Sequence, residues 1–294
     1  MDIIYKALGE VLRFIYGFCG NFGVAIIIFT ALTRLIVLPL TLKQQKSMAH
    51  MQKIQPLLNE INNKYKNDKT KLNEETMKLY KEYNVNPMGG CLPMLIQMPI
   101  LVAVYGVIQN PIAYILKIPV PEDILTVLCN GNNTLTQLGL VAFISNNVKA
   151  AEELLLAAGK SFSQLNDLIL NFNFLGINLG LVPKEASSNY LLLIIPVLGA
   201  LTTYFSSKLT SKQQSASQSS NNEQAASQMQ TMQMIFPFMT AWFCYILPAA
   251  MGLYWIVGNL IQILQSYTLD RYILKKETSE PLVIEPKQKN KKKK

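Results

Sequence analysis

Residues 22–42 read FGVAIIIFTALTRLIVLPLTL, an apolar run with a single charge, Arg34. A membrane-crossing helix needs about 20 mostly apolar residues, and this run has that length. Similar windows follow from Cys91 to about Ile112 and from Tyr190 to Ser207, and a longer one extends from Met234 to about Leu269. The last is too long for one crossing. Pro248, Ala249, Ala250 and Gly252 interrupt it midway, which predicts a tight hairpin of two short spans. The expected fold class is an all-α integral membrane protein with five transmembrane helices, at 21–42, 89–112, 189–208, 232–247 and 250–270.

Composition agrees with that reading. Of the 294 residues 50% are hydrophobic and 15% charged, where soluble domains carry about 25% charged residues. The charges are also clustered, which excludes an ordinary globular enzyme and a disordered chain alike. A formal charge of +9 would suit nucleic acid in a soluble protein, but in a membrane protein basic loops mainly set orientation. Cys19, Cys91, Cys129 and Cys244 form no CxxC pair, and His50 is the single histidine. Zinc chemistry and Ser/His catalysis therefore lack raw material. No enzyme activity, metal or cofactor is expected.

The lysines decide orientation. Segment 43–88 holds Lys43, Lys46, Lys53, Lys64, Lys66, Lys69, Lys71, Lys78 and Lys81, and the tail 271–294 ends in the run Lys291 to Lys294. Segment 113–188 has only Lys117, Lys149, Lys160 and Lys184, against Glu122, Asp123, Glu152, Glu153, Asp167 and Glu185. The positive-inside bias puts 43–88 and the C-terminus in the cytoplasm and the N-terminus outside. Residues 1–20 make no convincing signal peptide, because Lys6, Glu10 and Arg13 break any apolar centre. A lipoprotein cleavage site at Cys19 would want a small residue where Phe18 stands. Instead Ile4, Leu8, Val11, Leu12, Ile15 and Phe18 share a face opposite Asp2, Lys6, Glu10 and Arg13, which predicts an amphipathic helix in the outer interface.

Between the spans, 43–88 reads as a cytoplasmic helical hairpin. Ile54, Leu57, Leu58, Ile61 and Tyr65 recur at helical spacing, 67–70 supplies a turn, and Leu72, Leu79 and Tyr83 share the second helix's face. Pro56 should kink or delay the first helix. The hairpin is read either as a solvated coiled hairpin or as a docking element. Residues 209–231, rich in Ser, Gln and Asn, read as a flexible cytoplasmic loop. The long extracytoplasmic loop 113–188 contains short apolar stretches that could form small surface helices, and the basic tail reads as disordered.

Arg34 is the most informative residue. A charge at mid-membrane costs ~2.5–3.5 kcal/mol on insertion scales, and no Asp or Glu lies inside a predicted span to pair with it. It must reach water, polar side chains or a transient anionic partner, which argues for a hydrated cavity. The alternative, a structural arginine reaching the interface, conflicts with the long apolar runs on both sides. Thr30 and Thr41 share its helical face. Trp255, Asn259, Gln262 and Ser266 form one stripe of the last span, and Gln97 shares a face with Tyr105. An Asn or Gln in a membrane also bonds neighbouring helices, so Gln97 and Gln262 carry both readings.

Four stretches give a resemblance. They are Asn21 to Ile27, Thr33-Arg34-Leu35 through Pro39 to Ser47, Asn86-Pro87-Met88-Gly89-Gly90-Cys91-Leu92-Pro93 through Pro99, and Leu247 to Trp255 with Asn259. In content and order they resemble the YidC/Oxa/Alb insertase family, in its bacterial form without the large outer domain. The resemblance implies a bacterial cell-membrane protein with a hydrophilic groove, open to cytoplasm and lipid and closed outside. Arg34 would draw in the polar or acidic part of a client while the apolar part slides into lipid. The groove would be lined by Arg34, Thr30, Gln97, Trp255, Asn259 and Gln262. Partners would be nascent membrane proteins and the lipid bilayer, with the ribosome at the basic tail and hairpin, the tail meeting RNA phosphates, and the protein translocon. Loop 113–188 is longer than in compact relatives, and the third span offers only Thr202, Thr203, Tyr204, Ser206 and Ser207 as polar groups.

Three other functions fit less of the sequence. A small-solute transporter would show repeated halves and ion sites, and a passive assembly scaffold leaves Arg34 unexplained. A membrane protease would need a His or paired acids within a span. The lysine distribution makes a direct prediction: a cysteine placed at Ser163 is labelled from outside intact cells, and one at Asn67 is not. Labelling at Asn67 would overturn the five-span topology.

Overall fold

Helix α1 (Asp2–Cys19) stops at Gly20, whose φ of 61° suits glycine. Helix α2 (Phe22–Lys53) begins at once, because the Asn21 side-chain oxygen accepts the N–H groups of Gly23 at 3.0 Å and Val24 at 3.2 Å. This computed structural model describes residues 2–83, 85, 92–128, 136–185, 190–215 and 223–269. The helices that follow are α3 (Gln55–Lys64), α4 (Lys69–Glu82), α5 (Leu92–Gln109), α6 (Glu122–Leu128), α7 (Gln137–Asn146) and α8 (Val148–Ala157), then α9 (Ile194–Ser215), α10 (Glu223–Ile246) and α11 (Ala249–Leu269). The described residues are mostly helical. Two helical stretches, Phe22–Lys53 and Tyr190–Leu209, are long and apolar enough to cross a membrane, with shorter apolar stretches at Gln97–Gln109 and Met234–Ile246.

The chain divides into two compact units. The first comprises residues 1–35, 97–203 and 237–261. One apolar core runs through it, joining Phe22, Ile26 and Phe29 of α2, Val104 and Ile108 of α5, Val141 and Ile144 of α7, and Leu155 of α8 to Ala250 and Leu253 of α11. The long segment after α5 is thus folded into a core. Within it a π-helical turn, Ile112–Leu116, carries Tyr114 against α1, where it meets Tyr5 edge-on at 5.6 Å. Lys117 of the same turn pairs with Glu10 of α1. On α1, Leu12 and Ile15 are buried in this core, whereas Ile4, Val11 and Phe18 of the expected apolar face stay exposed. That face is wider than one contact can cover.

Segment 170–181 ties the unit together. It contains a two-stranded hairpin, β1 (Asn173–Phe174) and β2 (Ile177–Asn178), closed by Leu175 and Gly176 at φ 51° and 79°. Two positive φ values in a two-residue loop define a type I′ turn, which favours Asn-Gly; leucine there bears strain of order 1–3 kcal/mol. The Asn171 carbonyl accepts the Phe22 N–H at 2.9 Å, and the Leu181 and Leu179 carbonyls accept those of Ala249 and Ala250, each at 2.9 Å. These bonds satisfy N–H groups that a helix start leaves without internal partners. Elsewhere, Gly199 of α9 lets Cys244 of α10 approach: a Cβ there would lie 2.8 Å from its sulfur.

The second unit comprises residues 36–96, 204–236 and 262–294. Its described core holds Met51, Ile54, Leu58, Leu79 and Val85. Helix α2 runs through residue 43, where the span was expected to give way to the hairpin, and breaks only at Ile54. Pro56 then sits in the first turn of α3, where its missing N–H costs nothing. Asp68 starts α4 by accepting the Lys71 N–H at 3.0 Å, so the turn precedes 69 rather than centring on 67–70.

The flexible loop expected at 209–231 is corrected only at its two ends, 209–215 and 223–231, which are helical; residues 216–222 lie outside the described residues. Helix α9 continues to Ser215 and α10 starts at Glu223. The segment lacks Gly and Pro, and helices nucleated in apolar neighbours propagate through Ser, Gln and Ala at small cost per residue. The basic tail 271–294 lies outside the described residues.

Gly23 offers a test of the packing around 170–181. A Cβ there would fall 2.6 Å from Cδ2 and 2.7 Å from Cβ of Phe174, neither of which is the free end of a flexible chain. Gly23→Ala should destabilise the protein by about 1–3 kcal/mol, read as a lower Tm in detergent. An unchanged Tm would show that Phe174 yields freely.

Candidate functional site

Arg34 lies twelve residues into α2, about 18 Å along its axis from Phe22 at 1.5 Å per residue. Such a distance is more than half of a hydrocarbon core about 30 Å thick. The guanidinium lies against Gly258 of α11. A Cβ on that glycine would fall 2.8 Å from Nη2 of Arg34, so any larger residue there would displace it. Among the described residues no carboxylate lies within ion-pair distance of Arg34. The phenol of Tyr254 stands one turn before Gly258 on the same helix. That hydroxyl accepts a hydrogen bond from the Gln97 amide of α5 at 3.2 Å. Arg34, Gly258, Tyr254 and Gln97 therefore form one constellation drawn from three helices.

The other candidate residues have different surroundings. Thr30 is fully buried and donates its hydroxyl to the Ile26 carbonyl at 2.6 Å. Trp255 is half-buried and stacks on Phe243 of α10, with centroids 6.1 Å apart and planes at 19°. Asn259 is buried and donates to the hydroxyls of Thr203 at 2.8 Å and Thr202 at 3.3 Å on α9. The Asn259 amide thus joins α11 to α9, as polar groups commonly do between membrane helices. Gln262 is half-buried and belongs to the second unit.

Sequence reasoning singled out neither Tyr254 nor Gly258. A signal existed: the two are spaced i, i+4 on the stripe face next to Asn259, and a glycine in a span often marks close approach of a neighbour. Nothing in one sequence, however, says that the neighbour is Arg34.

The fold and constellation define a class, a helical membrane protein with a cation held between helices. Comparison with known proteins identifies its family. The family described as 60Kd inner membrane protein matches residues 14–277. Named relatives are membrane protein insertases YidC. One from Fusobacterium nucleatum is 33% identical over 280 residues, 94% of this chain and 99% of that protein. Another, from Caldanaerobacter subterraneus, is 30% identical over 92% of this chain and 96% of the relative. A third, from Clostridium perfringens, is 34% identical over 86% and 80%. A solved structure of an active YidC insertase with its first transmembrane domain resolved is similar, with a TM-score of 0.52 and 27% identity over 90% of this chain and 46% of that one. The chain belongs to the YidC family of membrane protein insertases, which makes it a multi-pass inner-membrane protein.

The Asn259 contact can be measured. Asn259→Leu should lower stability in detergent by about 0.6–1.7 kcal/mol. Thr203→Val added to it should cost little more, because the two share one bond. Fully additive losses would mean that the bond is energetically silent.

Proposed function

We propose that this chain is a membrane protein insertase that moves short hydrophilic segments of clients across the bilayer while their apolar segments pass into lipid. The observation that carries the reading is Arg34: a cation deep in an apolar span, set against Gly258, with no acidic partner among the described residues. A charge so placed costs several kcal/mol, and what offsets that cost is water, polar neighbours and the arriving client. An acidic or polar segment entering near Arg34 exchanges part of its hydration for that charge, which lowers its crossing barrier. The step is electrostatic; no covalent bond or nucleotide enters it.

The supporting architecture is five crossings by α2, α5, α9, α10 and α11, with α1 in the outer interface and the α3–α4 hairpin in the cytoplasm. The N-terminus lies outside and the C-terminus inside. Gln97, Trp255, Asn259 and Thr30 then belong to the walls of the groove around Arg34. The structure supports unequal roles for them, since Asn259 and Thr30 direct their bonds to helix partners and to backbone. The hairpin and tail receive clients, ribosomes or the translocon.

The test is insertion of a client with an acidic translocated segment into vesicles carrying the purified protein. Arg34→Lys keeps the charge and should retain much of the insertion, with some loss because lysine lacks the planar fork. Arg34→Ala should lose most of it while protein abundance stays near normal, since no ion pair among the described residues is broken. A client with a neutral or very short translocated segment should depend less on the charge. Disappearance of Arg34→Ala from the membrane would make the residue structural, and unchanged insertion of acidic clients would refute the mechanism.

A further inference from the structure

The turn between β1 and β2 breaks a local rule. Leu175 holds a positive φ where Asn or Gly would be unstrained, yet its side chain gains no packing from the protein: it is 84% exposed. A large apolar residue that bears backbone strain and stays uncovered calls for a contact outside the chain. Gly176 places this turn beside Leu191, whose Cδ1 lies 3.9 Å from the position a Cβ on Gly176 would take. Leu191 precedes α9, and from there an exposed apolar strip continues along the span. Tyr190 is 78% exposed, and Ile194, Val197, Leu198 and Leu201 recur at helical spacing with their side chains uncovered. On the other flank, Asn171 and Asn173 bind the start of α2 through the Phe22 N–H and the Asn21 amide. The turn therefore sits at the ends of two helices read as spans, and its apolar tip is continuous with the lipid-facing side of one of them.

We propose that Leu175, at the tip of the β1–β2 hairpin, inserts with Tyr190 and Leu191 into the boundary between headgroups and acyl chains of the leaflet nearest the start of α2. The occupant of this patch is lipid. Leucine gains by leaving water for the acyl region, and tyrosine suits the headgroup level with its polar end outward. The hairpin then acts as a foot that anchors segment 170–181 at the membrane surface. Through that segment it holds the starts of α2 and α11, which carry Arg34 and Gly258. The proposal rests on the reading of α2 and α9 as membrane spans.

The experiment uses the full chain with its native cysteines replaced, reconstituted at low protein density in phosphatidylcholine–phosphatidylglycerol vesicles. Single cysteines at Leu175, Ser163 and Val197 carry an environment-sensitive nitrobenzoxadiazole dye, and lipids with a nitroxide on the acyl chain are the quencher. Dye at position 175 should emit to the blue of dye at position 163 and lose most of its emission to the quencher, as dye at 197 does, while 163 stays water-like and unquenched. Quenching at 197 without quenching at 175 overturns the proposal and leaves the span reading intact. No quenching at either position overturns both. Equal quenching at 163 and 175 overturns the assignment to the tip, because the whole module would then lie on the bilayer. A blue-shifted but unquenched dye at 175 would mean that protein covers the tip, and it overturns the proposal as well.

Discussion

A helix that begins in or near lipid exposes N–H groups that water cannot reach, and leaving one unpaired there costs several kcal/mol. Here the starts of α2 and α11 meet that requirement from a common source. Segment 170–181 gives the Asn171 carbonyl to Phe22 and the Leu181 and Leu179 carbonyls to Ala249 and Ala250. Because one short strap serves both helices, their starts are held close together. Arg34 stands twelve residues after Phe22 and Gly258 nine after Ala249, rises of about 18 Å and about 14 Å. The approach of guanidinium to glycine follows from that shared origin.

Polar groups in the first unit divide by what they spend their hydrogen bonds on. Thr30 bonds its own helix, and Asn259 bonds Thr203 and Thr202 across to α9. Such bonds are worth only about a kcal/mol each, but they set register between helices. Gln97 and Tyr254 bond each other one turn from Gly258, where Arg34 rests. Their neutral dipoles can soften the burial of a cation without neutralising it. A fixed carboxylate would have neutralised it, and among the described residues none is within ion-pair distance.

How much of this was legible in the sequence differs from element to element. The helical character of the chain and the isolation of Arg34 follow from local patterns: a long apolar run, a charge count, and the absence of acids at the right spacing. The start of α2 at Asn21 and the delay of α3 to Pro56 are likewise local capping and steric effects. The apolar side of α1 was visible too, although its division into a buried part with Leu12 and Ile15 and an exposed part with Phe18 was not. Residues 209–215 and 223–231 misled because Ser-, Gln- and Asn-rich composition resembles a loop, while the lack of Gly and Pro lets helices nucleated in apolar neighbours extend into them.

By itself, then, the sequence determined which segments are apolar, where α1 gives way to α2 and where α3 is delayed, and that one cation has no acid of its own in the apolar runs. Those are short-range properties, set by hydropathy, propensity and charge within a turn or two of chain. Only the tertiary structure decided that Gly258 is what Arg34 rests on, that Asn259 reaches Thr203, and that Trp255 stacks on Phe243. It also decided that residues of segments 112–128 and 138–179 fold into a core with α1 and α2. Such pairings join residues far apart in the chain, and their choice depends on the packing and hydrogen-bond demands of all the helices at once, which no local pattern records.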